Sequence, residues 1–288
     1  MKRFFALTIL LLLLLSGCEN AAPQVNIVAT TAPVYEFTKA ICEETDILVA
    51  QLITENVSCL HDYTLQSGQM HLLESADLVI LSGFGLEDFL EDPLNSANKV
   101  ADASVGIEPI CIETHNHKQH NHSHETDPHI WLSPDYAAKM AKNIYTTLVN
   151  DYPDYKDTLD RNYQILSGKF DKLSKYAKNT LSNLACRELI TFHDGFSYMA
   201  DVFDLHILRA IEEESGSEAS ASELISICKI IEGNNIPAIF TEKNGSISAA
   251  KIIQRETGVR VYALDMAIST GYFEAMYHNI NTLKEALG

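Results

Sequence analysis

Three histidines and one aspartate are set apart by where they fall: His61 in CLHDYT, His129 in TDPHIWLSP, His193 in ITFHDGFSY and Asp265 in VYALDMA. Taken singly, a histidine near a strand end is more often a structural hydrogen-bonding residue than a ligand. Taken together, their intervals of 68, 64 and 72 residues put two in each half of the chain. Three neutral imidazoles and a carboxylate make a full tetrahedral shell for Zn²⁺. By intrinsic affinity an N/O shell favours Zn²⁺ over Mn²⁺. A Mn²⁺ site, the alternative along with other first-row metals, would be expected to carry more oxygen ligands. A second group, His115, His117, His120, His122 and His124, lies in HNHKQHNHSH. It has no apolar residue with which to pack a core, so it is expected to form a mobile, metal-attracting tract. A plain polar loop is the ordinary alternative. Its expected work is auxiliary capture or sensing, outside the tight site.

Other chemistries fit less well. A secreted zinc hydrolase keeps an open coordination position and a general base; here four ligands would close the shell, and no H-E-x-x-H is present. Asp194 could act as a base, but orienting its neighbour His193 suits it better. No phosphate-loop motif occurs, so the chain is not expected to hydrolyse ATP itself. Gly83-Phe84-Gly85 lacks the third glycine of a dinucleotide loop and reads as a tight strand-to-helix turn. The formal charge of −18 argues against a nucleic-acid partner and suits a cation only in a general way. Glu212–Glu214 reads as a solvated charge run, and His71, His206 and His278 have no motif around them.

The elements that must position these residues follow from the hydrophobic pattern. Residues 1–17 read as a lipoprotein signal peptide: a basic start at Lys2 and Arg3, then an apolar run of 12 residues, too short to span a membrane. Leu15-Ser16-Gly17-Cys18 resembles a bacterial lipobox, which would make Cys18 the lipidated first residue and take the charge to −20. That places the protein on the outer face of the cell membrane, held by acyl chains. Residues 18–24 read as a tether. Beyond Cys18 the cysteines (Cys42, Cys59, Cys111, Cys186, Cys228) are odd in number, and their spacing gives no pairing. Strand-like runs follow at Val25–Thr30, Asp46–Ile53, Asp77–Ser82 and within Lys99–Ile112, and again at Arg187–Phe192, Leu205–Ile211, Ile236–Thr241 and Val259–Asp265. Helical patterns lie between them, at Ala219–Gly233 and Ser246–Gly258 among others.

This alternation predicts an α/β fold of two lobes, each with a roughly four-stranded parallel sheet flanked by helices. The expected boundaries are 25–150 for the first lobe, with the His-rich loop at 114–125, and 183–288 for the second. Between them, apolar residues from Tyr155 to Leu181 recur every three or four positions, predicting a long amphipathic helix over 151–182 that joins the lobes stiffly. Ligands in such sheets bind beyond the carboxyl ends of the strands, which is where His61, His193 and Asp265 fall.

DPHIWLSP (Asp127–Pro134), FHDGFSY (Phe192–Tyr198), ADLVILSGFGLEDFL (Ala76–Leu90) and AIFTEKNGSISAAKIIQRETGVRVYALD (Ala238–Asp265) together resemble the metal-binding lipoproteins of ATP-binding cassette importers for zinc or manganese. The ending YFEAMYHNINTLKEAL fits as well. The resemblance covers the chain beyond the signal segment. It implies two α/β lobes joined by a rigid helix, one metal between them, a membrane permease as partner, a monomer and no enzymatic activity. Its ligand positions fall on His61, His129, His193 and Asp265, and its zinc-type members carry the His-rich loop. The sequence departs from it in lacking prolines after His61 and in Glu214–Ser220, and in having Leu60 where some zinc-type members carry glutamate. That last departure sharpens the case for Asp265 as the fourth ligand that the resemblance implies.

Overall fold

The computed structural model describes residues 25–54, 63–111, 126–211, 219–266 and 271–288. Cys18 and the signal segment, Cys59, His61, the five loop histidines and Glu212–Glu214 lie outside the described residues.

The first half contains β1 (Ile27–Ala29), α1 (Ala32–Ile41), β2 (Val49–Gln51), α2 (Ser67–Ser75), β3 (Leu78–Leu81), α3 (Glu91–Leu94) and β4 (Val100–Asp102). Two helices follow, α4 (Pro134–Asp151) and α5 (Lys156–Leu181). The second half contains β5 (Glu188–Thr191), α6 (Ser197–Phe203), β6 (His206–Ala210), α7 (Ala221–Asn234), β7 (Ala238–Glu242), α8 (Ser248–Thr257), β8 (Arg260–Leu264) and α9 (Tyr272–Leu287). Each strand falls in the run expected for it, β7 reaching one residue further. All pairings between strands are parallel, in the orders β2-β1-β3-β4 and β6-β5-β7-β8. The same topology thus occurs twice. In each sheet the two central strands lead to crossovers on opposite sides, which opens a crevice at their carboxyl ends.

Successive strand residues face opposite layers, and the core divides accordingly. Val28 and Val79 pack outward with Leu73 and Leu90, beneath α2 and the turn before α3. Ile190 and Ile239 pack outward against Ile227, Ile231 and Ile253 of α7 and α8. Ile27, Ala29 and Ile80 of the first sheet share one continuous inner core with Leu189, Phe240 and Leu264 of the second. Helix α5 lies in that shared layer against α1, α4 and α9. It buries Leu159, Leu166, Phe170, Leu173, Ala177 and Leu181, the stripe read from its periodicity. Phe170 stacks edge-on with Phe37 of α1 and Tyr272 of α9, at 5.2 and 5.6 Å between ring centres. Pro153 opens a single 3₁₀ turn before α5. Among the described residues no helix is long and apolar enough to cross a membrane.

Candidate metal centre

His129 and His193 meet where the two halves of the chain face each other. Their Nε2 atoms are 3.1 Å apart, with ring planes 87° to one another. His193 arrives two residues past β5, a central strand of the second sheet. His129 comes from a 3₁₀ turn (Ile130–Leu132) that precedes α4, and not from a strand end. Both are buried.

A carboxylate backs each ring. His129 Nδ1 is 2.9 Å from Asp127 Oδ1, which also accepts the His129 backbone N–H at 2.8 Å. The other Asp127 oxygen accepts the Ser197 N–H of α6 at 3.0 Å, so this residue ties the two halves together at the site. His193 Nδ1 is 3.1 Å from Glu242 Oε1, at the end of β7. Burial alone would raise the Asp127 carboxyl. The hydrogen bonds and charge of His129, with the Ser197 N–H, outweigh burial and hold it below the usual carboxylate range. An ionised Asp127 has no proton to give, so the proton of that contact belongs to His129 Nδ1, and a neutral His129 turns its Nε2 lone pair toward His193. A cation between the two Nε2 atoms would be held by both rings. Two imidazole nitrogens on one tetrahedral Zn²⁺ are about 3.3 Å apart, from bond lengths near 2.05 Å. Burial also pushes the His129 pKa below its ordinary value, against the pull of Asp127, and nearby His193 pushes the same way.

Gly195 makes this approach possible. A Cβ there would lie 2.7 Å from His193 Cδ2 and 2.8 Å from His129 Nδ1, so no other residue fits without moving a ring. Trp131 flanks His129, with ring centres 5.3 Å apart. Its indole N–H donates to the Met266 carbonyl at 2.6 Å, and its own carbonyl accepts the Tyr272 hydroxyl at 2.9 Å.

Asp265 follows β8 and is buried. Asn279 of α9 fixes its backbone from both sides, accepting its N–H at 2.8 Å and donating to its carbonyl at 2.6 Å. The Asp265 carboxylate is paired with Lys243, Nζ to Oδ2 at 3.0 Å. Among the described residues no three His, Cys, Asp or Glu side chains converge at metal-binding spacing. The structure therefore brings together His129 and His193 of the expected set, places Asp265 with Lys243, and leaves His61 outside what it describes. An antiparallel bridge between Cys111 and Thr126 joins the two ends of the segment that carries the His-rich tract.

Sequence reasoning missed Glu242, Gly195, Asn279 and Lys243. Glu242, 3.1 Å from His193 Nδ1, is a carboxylate partner of that ring beyond its neighbour Asp194. Asp127 stands in the DPHIWLSP run, but its role behind His129 is visible only in the structure.

The family described as zinc-uptake complex component A, periplasmic, matches residues 27–286. The zinc-binding lipoprotein AdcA of Streptococcus pneumoniae strain R6 is 28% identical over 294 residues, covering 95% of this chain and 58% of the relative. The chain thus spans a little over half the length of that relative. The high-affinity zinc uptake system protein ZnuA of Bacillus subtilis is 27% identical, over 96% of this chain and 94% of the relative. Among solved structures, a ZnuA crystal structure superposes with a TM-score of 0.82 at 27% identity, over 92% of this chain and 99% of that one. The Zn(II)-bound ZnuA-like domain of Streptococcus pneumoniae AdcA superposes at 0.77 with 26% identity, over 92% and 99%.

Proposed function

The chain belongs to the family of periplasmic components A of zinc-uptake complexes, and from that premise we propose that it captures Zn²⁺ outside the cytoplasm and passes it to an ATP-binding cassette import permease. The observation that carries this reading is the His129–His193 pair, with Nε2 atoms 3.1 Å apart and a carboxylate behind each ring. Two imidazole nitrogens held this close, each with a carboxylate behind its ring, suit a small divalent cation. His61 and Asp265 complete the shell in this proposal. Two imidazoles already fixed, with a third to come, favour Zn²⁺ over Mn²⁺. A closed shell leaves no site for an activated water, so the protein binds and releases and does not catalyse. Cys18 carries the lipid anchor that keeps a single copy beside the permease, and the histidines between 115 and 124 gather metal at weaker affinity.

Competition against a fluorescent zinc chelator tests this. The wild type is expected to take one Zn²⁺ per chain, while His61→Ala, His129→Ala and His193→Ala each weaken it by at least about tenfold. Equal affinity in wild type and His193→Ala would overturn the proposal. Deleting residues 115–124 is expected to leave tight binding intact.

A further inference from the structure

We propose that Lys243 is an internal counter-cation for Asp265, which the incoming metal must displace before that carboxylate can serve as a ligand; this rests on the metal-binding reading above. The two side chains differ in one respect that decides which of them moves. Asp265 is 2% exposed and Lys243 is 41% exposed. Asn279 clamps the aspartate backbone on both its N–H and its carbonyl. The lysine backbone is likewise held, its N–H donating to the Leu264 carbonyl at 2.8 Å, which leaves only its side chain free to swing. That side chain is a flexible four-carbon stem ending in a strongly hydrated ammonium, already at the edge of solvent.

A buried carboxylate without a cation is costly, because it has lost its hydration with no opposite charge to replace it. Lys243 supplies the cation when no metal is bound. A divalent ion arriving at the same oxygen repels the ammonium and satisfies the carboxylate in its place. When the metal leaves, the ammonium returns. The carboxylate thus keeps a cation beside it in both states, and release does not meet the full cost of removing one. The position of the lysine is informative as well. Glu242 orients His193 and Lys243 holds Asp265, so the last residue of β7 and its successor serve the two second-half ligands in turn. One residue makes its imidazole a better ligand, and the other makes its carboxylate a more exchangeable one.

The test is Zn²⁺ affinity by chelator competition and Zn²⁺ release by stopped flow. The proteins are wild type, Lys243→Met, Lys243→Arg, Asp265→Asn, the Lys243→Met/Asp265→Asn double variant and His129→Ala. Lys243→Met is expected to bind about fivefold tighter, with release slowed to match, while Lys243→Arg stays within about twofold of wild type. In the Asp265→Asn background the methionine is expected to change affinity by less than about twofold. Tightening that persists without Asp265 would show a general charge effect and overturn the proposal. So would a Lys243→Met protein that binds no tighter than wild type while His129→Ala binds poorly; in that case the metal centre stands and the lysine exchange falls. If wild type and His129→Ala bind alike, the metal reading fails and takes the exchange with it.

Discussion

An imidazole is only as good a ligand as the group behind it makes it, and here both groups behind the rings are carboxylates, Asp127 buried and Glu242 partly so. Asp127 and Glu242 fix the tautomer and raise the basicity of Nε2. Asp127→Asn and Glu242→Gln are each expected to weaken Zn²⁺ binding by about 10- to 100-fold while all the ligands remain; chelator competition reads this. Gly195→Ala acts by sterics alone, since its Cβ would sit under 3 Å from both rings. It is expected to produce a comparable loss with little change in melting temperature. The pH dependence follows from His129, which burial keeps unprotonated to lower pH than an exposed histidine. Protons compete with metal for the imidazoles, so affinity stays level while pH falls from 7.5 toward 6.5 and drops below that, by at least about tenfold at pH 5. Unchanged affinity between pH 7.5 and 5 would contradict this. His129 and His193 were legible because they sit in short runs with a chemical reading of their own. Glu242 was not, because it reaches His193 through strand pairing, and a sequence does not state which strand lies beside which. Gly195 was hidden for a related reason: a glycine's close approach is visible only once both neighbours are in place.

At the scale of elements, the ends of strands do most of the positioning. Asn279 holds the residue after β8 by two hydrogen bonds while fully buried. Asn279→Leu leaves a buried N–H and a buried carbonyl unpaired, and is expected to cost about 2–4 kcal/mol by denaturant unfolding. Glu87 plays the corresponding part in the first sheet. It accepts hydrogen bonds from the Thr30 hydroxyl at 2.6 Å, the Ser82 N–H at 2.7 Å and the Gly83 N–H at 3.0 Å, joining the ends of β1 and β3. Burial, opposed by these donors, pushes its carboxyl up to about 7 from 4.5. A raised carboxyl favours the protonated fold, so its contribution is complete below pH 4.5 and is lost as pH rises through about 7. Wild-type stability is expected to decline over that window, and Glu87→Gln to flatten the decline; chemical unfolding at pH 5, 6, 7 and 8 checks the slope. The strands themselves were readable from runs of β-branched and apolar residues buried on both faces. Gly83-Phe84-Gly85 was readable as a turn, and all three residues have positive φ.

At the scale of the molecule, the two sheets are less independent than two lobes joined by one helix would be. The inner core runs from Ile27 through Phe170 to Leu264 without a break. Helix α9, at the end of the chain, packs on α1 near its beginning as well as on α5 and β8. The periodicity of α5 showed that one face was buried; it did not show that helices from both halves of the chain cover that face, because a pattern reports burial and not the partner. A shared core of this kind resists hinge opening. A globular chain of this length has a radius of gyration of about 19 Å, and X-ray scattering is expected to find it changed by less than about 1 Å when Zn²⁺ is added. A change of several ångströms would mean that the halves part, and that the shared core is not the constraint described here.

The central claim is that His129 and His193, backed by their carboxylates, form the heart of a zinc site. It is met most directly by metal analysis of the protein from Cys18 onward after exposure to equal Zn²⁺ and Mn²⁺. The account expects one tightly held Zn²⁺ per chain and little Mn²⁺, with the Zn²⁺ lost from His193→Ala. Retention of no metal, retention of Mn²⁺ in preference, or equal Zn²⁺ in wild type and His193→Ala would contradict it.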